Sequence, residues 1–167
     1  MNSEDLLEGK KILIVDDEPD ILDTLEELLP MCVVTRASDF EEAKSAILNN
    51  HYDIAILDIM GVNGYKLLEL ANEKNIISVM LTAHALKPEN IFKSYREGAA
   101  SYIPKEEMVN ITVYLNDILE AKNQNKSFWW RWHERFSKFF NQKFGHGWEE
   151  QYLEYKEFWE EYFKNKQ

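Results

Sequence analysis

The stretch Tyr52–Gly64, YDIAILDIMGVNG, decides the fold of this chain. Apolar residues fill positions 54–57, and Asp58 then precedes a turn that contains two glycines and an asparagine. A short, continuous apolar run bounded by turn residues is typical of a strand buried on both faces, as in a parallel sheet. Ligands of open α/β sheets bind beyond the carboxyl ends of the strands, so Asp58 lies where a ligand would bind.

Strand and helix patterns alternate around this stretch through residues 1–123. Short apolar runs predict strands at Lys11–Val15, Cys32–Thr35, Tyr52–Ile59, Ile76–Leu81 and Ser101–Ile103. Apolar residues at helical spacing predict helices at about Pro19–Leu29, Ser38–Leu48, Tyr65–Glu73, Pro88–Glu97 and Glu106–Ala121. Ser38, with Glu41 three residues later, predicts a capping box for the second helix. Five such units without hairpin signals predict an α/β fold, a parallel sheet with helices on both faces.

The uneven composition of the chain indicates two modules. Residues 1–123 carry 11 Lys and Arg against 23 Asp and Glu, whereas residues 124–167 carry 8 against 7. The second segment also holds 15 of the 22 aromatic residues, including all five tryptophans. We therefore predict a domain at 1–123 and an aromatic-rich extension at 124–167. Because Cys32 has no partner for a disulfide and no apolar run approaches the ~20 residues of a membrane span, we expect a cytoplasmic protein.

Polar residues of complementary chemistry follow four of the predicted strands. They are Asp16, Asp17, Asp58, Thr82 and Lys105. Carboxylates that converge on one cleft repel each other unless a cation shares the site, and Mg²⁺ prefers such oxygen ligands. An aspartate can also attack phosphorus and form an acyl phosphate. Since Lys105 offers a positive charge and Thr82 a hydroxyl to phosphoryl oxygens, the set predicts capture of a phosphoryl group by Asp58.

In this order and at these strand ends, the residues resemble the receiver domain of bacterial two-component response regulators. The resemblance covers roughly residues 9–122. Its matching positions are Asp16, Asp17, Asp58, Thr82, Ala83, Lys105 and, at the aromatic switch of the family, Tyr102. It implies a flavodoxin-like fold, a doubly wound sheet of five parallel strands in the order 2-1-3-4-5.

The resemblance also implies roles for these residues, with Asp58 as the phospho-acceptor. The implied Mg²⁺ ligands are Asp16, through water, Asp17, Asp58 and the backbone carbonyl of Met60. The residues implied in phosphoryl binding and switching are Thr82, Ala83, Lys105 and Tyr102. The implied protein is a stand-alone response regulator, with no enzymatic activity beyond self-phosphorylation and self-dephosphorylation. Its phosphoryl donor is a sensor histidine kinase or a phosphotransfer protein, and it signals through protein–protein contacts.

Two positions depart from the family pattern. The family carries Met-Pro in the loop after the acceptor and a glycine eight residues after it, whereas here Gly64 is six residues after Asp58. The family also follows its lysine with a cis proline, whereas Glu106 follows Lys105 and Pro104 precedes it. Neither departure removes a reacting group, but the short loop leaves open a receiver-like binding module that is not phosphorylated.

An enzyme of another class also uses a nucleophilic aspartate, Mg²⁺ and a lysine, namely a phosphatase of the haloacid dehalogenase type. Such enzymes need a second aspartate, as general acid, two residues after the nucleophile. Here that position is Met60, which cannot transfer a proton. The sequence therefore argues against a phosphatase.

The C-terminal extension predicts two helices, at about 127–144 and 148–164. One face of the first helix is aromatic, with Trp129, Trp132, Phe136, Phe139 and Phe140. The opposite face carries Arg131, Glu134, Arg135 and Lys138. Since the second helix is aromatic and acidic, we predict an antiparallel helical hairpin with an aromatic seam and complementary charge. A short hairpin cannot bury fifteen aromatic residues, so part of this surface should pack on the receiver, on a second copy in a homodimer, or on a downstream partner.

Two other roles for the extension are less consistent with its composition. A membrane-surface helix would combine aromatic and basic residues, but the second predicted helix is acidic and anionic lipid would repel it. A DNA-binding domain would show a helix-turn-helix pattern with a basic recognition helix, which the extension lacks, and the net charge of the extension is only +1. We therefore expect a protein-interaction element that contacts neither nucleic acid nor membrane.

Overall fold

The computed structural model describes residues 5–83, 87–126 and 129–148, without the side chains of Trp130 and His133. Its strands are β1 Lys11–Val15, β2 Val33–Ala37, β3 Ile54–Asp58, β4 Ile77–Thr82 and β5 Ser101–Pro104. Its helices are α1 Pro19–Leu28, α2 Phe40–Asn49, α3 Gly64–Glu73, α4 Pro88–Arg96, α5 Ile111–Asn123 and α6 Trp129–Phe144. A 3₁₀ helix, Lys105–Asn110, connects β5 to α5. Within these ranges, no helix combines the length and apolarity that crossing a membrane requires.

The five strands form one parallel sheet in the order β2-β1-β3-β4-β5, which confirms the predicted fold class and strand order. All five residues of the central strand β3 are buried, as its continuous apolar run predicts. In register, Leu13 of β1 lies opposite Ala55, and Asp58 lies opposite Leu81 of β4. The carboxyl end of the sheet therefore gathers the residues that follow each strand.

Two local predictions are wrong in detail. The residue that caps α2 is Asp39 and not Ser38, because the Asp39 side chain accepts a hydrogen bond of 2.8 Å from the Glu42 backbone N–H. The Glu42 carboxylate accepts in return from the backbone N–H of Ser38, at 3.2 Å, so the reciprocal pair is shifted by one residue. The single helix predicted at 106–121 is instead a 3₁₀ turn followed by α5, which begins at Ile111.

The aromatic face of α6 packs against the α/β domain, which is one of the three surfaces expected for it. Among the side chains of α6 that the structure describes, the buried aromatic ones are Trp129, Trp132, Phe136 and Phe140. Ring centroids lie 5.6 Å apart for Trp129 and Tyr95 of α4, 6.3 Å for Phe140 and Tyr102 of β5, and 4.7 Å for Phe136 and Tyr114 of α5. The helix therefore lies across α4, β5 and α5.

The polar side of α6 also contacts this domain. Arg131 and Arg135, predicted on the face opposite the aromatic residues, bind Asp117 of α5 at 3.2 and 2.8 Å. After α6, Trp148 is buried, with its ring centroid 6.3 Å from that of Phe92 in α4. The rest of the second predicted helix, at about 148–164, lies outside the described residues, and so does the predicted pairing of two helices.

Candidate functional site

The ammonium group of Lys105 lies between carboxylates at the carboxyl end of the sheet. Its Nζ is 2.8 Å from Asp16 Oδ2, 3.6 Å from Asp58 Oδ1 and 3.7 Å from Glu18 Oε1. The side chains of Lys105, Asp16 and Asp58 are only 7%, 1% and 6% exposed. Because β1 and β3 are neighbours and β5 is two strands away from β3, the lysine must extend across the end of β4 to reach both aspartates. The structure thus brings together residues from three well-separated parts of the sequence.

The charges of this cluster shift one another's pKa values. Burial, and then the charge of Asp16, raises the pKa of Asp58 from 3.8 to about 7, although Lys105 opposes the shift. Burial also raises the pKa of Asp16, against the hydrogen bond from Lys105. Burial by itself would lower the pKa of Lys105, but its hydrogen bond to Asp16 and the charge of Asp58 raise it on balance. One buried cation therefore does not neutralise the carboxylates, and the site favours a second cation.

The short loop after Asp58 makes a tight turn that only particular residues permit. Gly61 has a φ of +84°, and a Cβ built on it would lie 2.7 Å from Cγ of Asp17. A Cβ built on Gly64 would lie 2.9 Å from the carbonyl carbon of Asp58 and closer still to its oxygen. Asn63, between them, adopts a left-handed conformation with a φ of +55°. The loop thus closes against both Asp17 and Asp58, although it is two residues shorter than the corresponding loop of the family.

The remaining predicted residues lie at the ends of β4 and β5. Thr82 is the last residue of β4, is 1% exposed and lies opposite Pro104 in register, with Ala83 directly after it. Tyr102 is fully buried in β5, and burial raises the pKa of its phenol. Its carbonyl oxygen accepts a hydrogen bond of 2.7 Å from the indole N–H of Trp132. Thr82 and Ala83 therefore lie one strand from Lys105, whereas Tyr102 faces α6.

Residues 12–115 match the model of a protein family that is described as "Response regulator receiver domain". This chain belongs to that family. The matched residues therefore run from β1 into the first part of α5, and α6 lies outside them.

Known receivers resemble this one in sequence and in structure. The two-component response regulator ARR18 of Arabidopsis thaliana is 34% identical over 103 residues, which are 58% of this chain and 16% of the plant protein. Response regulator ORR21 of Oryza sativa is 29% identical over 128 residues, or 71% of this chain and 18% of its own length. The chain thus spans less than a fifth of these relatives. A CheY-like receiver domain from Methanospirillum hungatei superposes with a TM-score of 0.64 at 28% identity, covering 70% of this chain and 98% of that one.

The acidic residues of this receiver suit a Mg²⁺ ion. Asp16, Asp17 and Glu18 each offer a carboxylate oxygen, and these atoms lie within 4.8 Å of one another. Hard oxygen donors of this kind are the ligands that Mg²⁺ prefers, and receiver domains generally bind it at an acidic pocket. The chemistry of the donors therefore fits the ion.

Two features of the receiver site were not predicted from the sequence. Glu18 joins the acidic cluster and approaches Lys105, a position that its place directly after Asp16 and Asp17 could have indicated. The contacts of Trp132 and Phe140 with Tyr102 were not foreseen either. The spacing of the aromatic residues indicates that α6 has an aromatic face, but nothing in that spacing names the strand it covers.

Proposed function

We propose that this receiver accepts a phosphoryl group on Asp58 from the phosphohistidine of a sensor kinase or phosphotransfer protein. It acts in the cytoplasm as a response regulator, and it signals through contacts with other proteins and not through catalysis or nucleic-acid binding. The observation that carries the proposal is the buried Lys105 ammonium, 2.8 Å from Asp16 and 3.6 Å from Asp58. A lysine held at this end of the sheet offers a positive charge to an anion bound at Asp58.

Transfer requires Asp58 as a carboxylate, whose oxygen forms a bond to phosphorus while the P–N bond to the donor imidazole breaks. The imidazole leaves and takes up a proton from solvent. Lys105 and the hydroxyl of Thr82 are proposed to bind oxygens of the transferred group, with the main chain at Ala83 beside them and Tyr102 as the switch residue. Mg²⁺, when bound by Asp16 through water, Asp17, Asp58 and the Met60 carbonyl, would neutralise part of the phosphoryl charge.

Intact mass spectrometry after incubation with acetyl phosphate tests this function. The wild-type chain should gain the mass of one phosphoryl group in the presence of Mg²⁺, and chelation of the ion with EDTA should prevent the gain. Asp58→Asn should show no gain. Asp20→Asn, which changes an exposed carboxylate in the first turn of α1, should behave as wild type. Absence of a mass gain in the wild type under all conditions would refute the proposal.

A second candidate is a binding module that is not phosphorylated, and the short loop is the observation that favours it. Met60 directly precedes Gly61, whose φ of +84° belongs to the turn that closes against Asp17, so the position of the carbonyl proposed for the metal depends on this turn. Titration calorimetry with MgCl₂ separates the two functions. Heat of binding that Asp17→Asn abolishes supports the phosphoryl acceptor, whereas absence of binding to the wild type favours the binding module.

The packing of α6 on the receiver limits which surfaces of the extension a partner could contact. Trp132 and Phe136, proposed as part of an interaction element, are 3% and 1% exposed because they pack within the chain itself. A homodimer or a downstream complex formed through this aromatic face would require α6 to leave the receiver. We therefore propose that partners contact the docked helix through its polar side, or compete with the receiver for its aromatic side.

A further inference from the structure

Two buried indole groups of α6 hold the edge of the sheet at β5. Because β5 pairs with β4 alone, its other edge has no strand partner among the described residues. Trp129 Nε1 donates to the carbonyl oxygen of Ala99 at 2.9 Å, and Trp132 Nε1 donates to that of Tyr102 at 2.7 Å. Both indoles are almost fully buried, with 4% and 3% exposed. The two indoles thus bind carbonyl oxygens along the side of β5 that faces α6, where buried backbone groups need hydrogen bonds.

The two bonds lie at different distances from the reactive end of β5. Ala99 precedes the strand, six residues before Lys105, whereas Tyr102 lies within it, three residues before Lys105. The Tyr102 ring also packs against Phe140 of α6. On the far side of the lysine, Glu106 pairs with Lys143 of α6 at 3.4 Å. Contacts with α6 therefore flank Lys105 in sequence, and the buried hydrogen bond from Trp132 is the strongest restraint among them.

We propose that Trp132 is a positioning residue for Lys105. Its indole N–H binds the Tyr102 carbonyl and so restrains β5, and Lys105, directly after this strand, reaches Asp16 and Asp58. The inference rests on the proposed function, since phosphoryl transfer to Asp58 is the reaction that Lys105 serves. The strand is only four residues long and pairs with β4 on one side, so the indole of Trp132 adds a restraint on its other side. A charged group placed a fraction of an ångström away from its target loses much of its effect on a reaction.

The chain contains a matched pair of variants that tests this inference. Trp132→Phe and Trp129→Phe each keep an aromatic ring and each remove one buried indole hydrogen bond to a carbonyl. We expect similar losses of stability in urea from the two. With acetyl phosphate and saturating Mg²⁺, we expect Trp132→Phe to be phosphorylated roughly tenfold more slowly than wild type, whereas Trp129→Phe keeps a rate close to wild type.

A second readout does not depend on phosphorylation. Hydrogen exchange followed by NMR should be faster at the amides of Lys105 and Glu106 in Trp132→Phe than in Trp129→Phe. Equal phosphorylation rates in the two variants would overturn the positioning role, because the indole bonds would then act on stability alone. If the wild type accepts no phosphoryl group, the proposed function is refuted, and the exchange rates still test whether Trp132 restrains the backbone at Lys105. Equal exchange at both amides would then refute the inference.

Discussion

Replacement of Asp58 by asparagine should stabilise this protein, and the gain should increase with pH. The pKa of Asp58 is about 7 in the folded chain and 3.8 as the reference for an unfolded one, because burial and Asp16 disfavour the carboxylate. Between these values the folded state holds a proton that the unfolded state has lost. The free energy of unfolding therefore falls as pH rises through this window, and the loss is complete above pH 7. Asparagine does not titrate and removes the loss.

The size of the effect follows from the two pKa values. Each pKa unit corresponds to about 1.4 kcal/mol, so the wild type loses at most roughly 4 kcal/mol when Asp58 is fully ionised. Asp58 is only 5% exposed, so solvent screens little of this. At about pH 5.5 roughly half of the loss is already present, and the advantage of Asp58→Asn should grow by about 2 kcal/mol between there and pH 8.5. Coupling to Asp16 spreads the transition over a wider range of pH.

Urea denaturation followed by tryptophan fluorescence, in EDTA, measures the effect at both pH values. Asp20→Asn is the control, because it removes the same charge from an exposed position on α1. The difference between Asp58→Asn and wild type should widen with pH, and that for the control should stay nearly constant. An advantage that is equal at both pH values, or that shrinks as pH rises, would show that burial does not raise the pKa of Asp58.

Three further changes have expected outcomes. If Mg²⁺ binds as proposed, MgCl₂ should raise the urea midpoint of wild type at pH 8.5 and have a smaller effect on Asp58→Asn, because an ion bound to the folded state would offset the buried charge. Gly64→Ala should lower the free energy of unfolding by at least about 2 kcal/mol, since the added Cβ would overlap the Asp58 carbonyl. The control Gly9→Ala has open space around its Cβ and should lower it by only about 1 kcal/mol, because of the positive φ at this position. Asp39→Ala should lose about 1 kcal/mol in thermal or urea unfolding, because the backbone N–H of Glu42 loses its acceptor.

The sheet and the location of its site could be predicted because both follow from local patterns. A continuous apolar run such as Ile54–Leu57 has few options other than a strand buried on both faces, and five such runs in parallel place their ends at one edge. Polar residues at those ends then meet if their side chains are long enough to span the distance between strands. Lys105 meets this condition, since it reaches Asp16 and Asp58 from the strand at the far side of β4.

Other features could not be predicted because the sequence supports more than one arrangement at similar energy. Ser38 and Asp39 are both good helix caps, and only the position of Glu42 relative to the backbone selects the second. The aromatic face of α6 could pack on a second helix, on another protein or on this domain. The choice depends on the rings of Tyr102 and Tyr114, which in the sequence are indistinguishable from ordinary core residues.

The free energy of α6 docking can add to that of a phosphoryl contact, which by itself is too small to drive the proposed switch. One hydrogen bond to a charged group contributes roughly 1.5–3 kcal/mol, whereas moving a two-state population from 1:99 to 99:1 requires about 5.5 kcal/mol. If docking of α6 also changes the equilibrium of phosphorylation at Asp58, and not only its rate, linkage requires that phosphorylation change the affinity of α6 for β5 by the same factor. The buried bond at Tyr102 and the packing of Phe140 then both belong to the transition. A partner that binds undocked α6 would shift phosphorylation, and phosphorylation would shift binding of that partner.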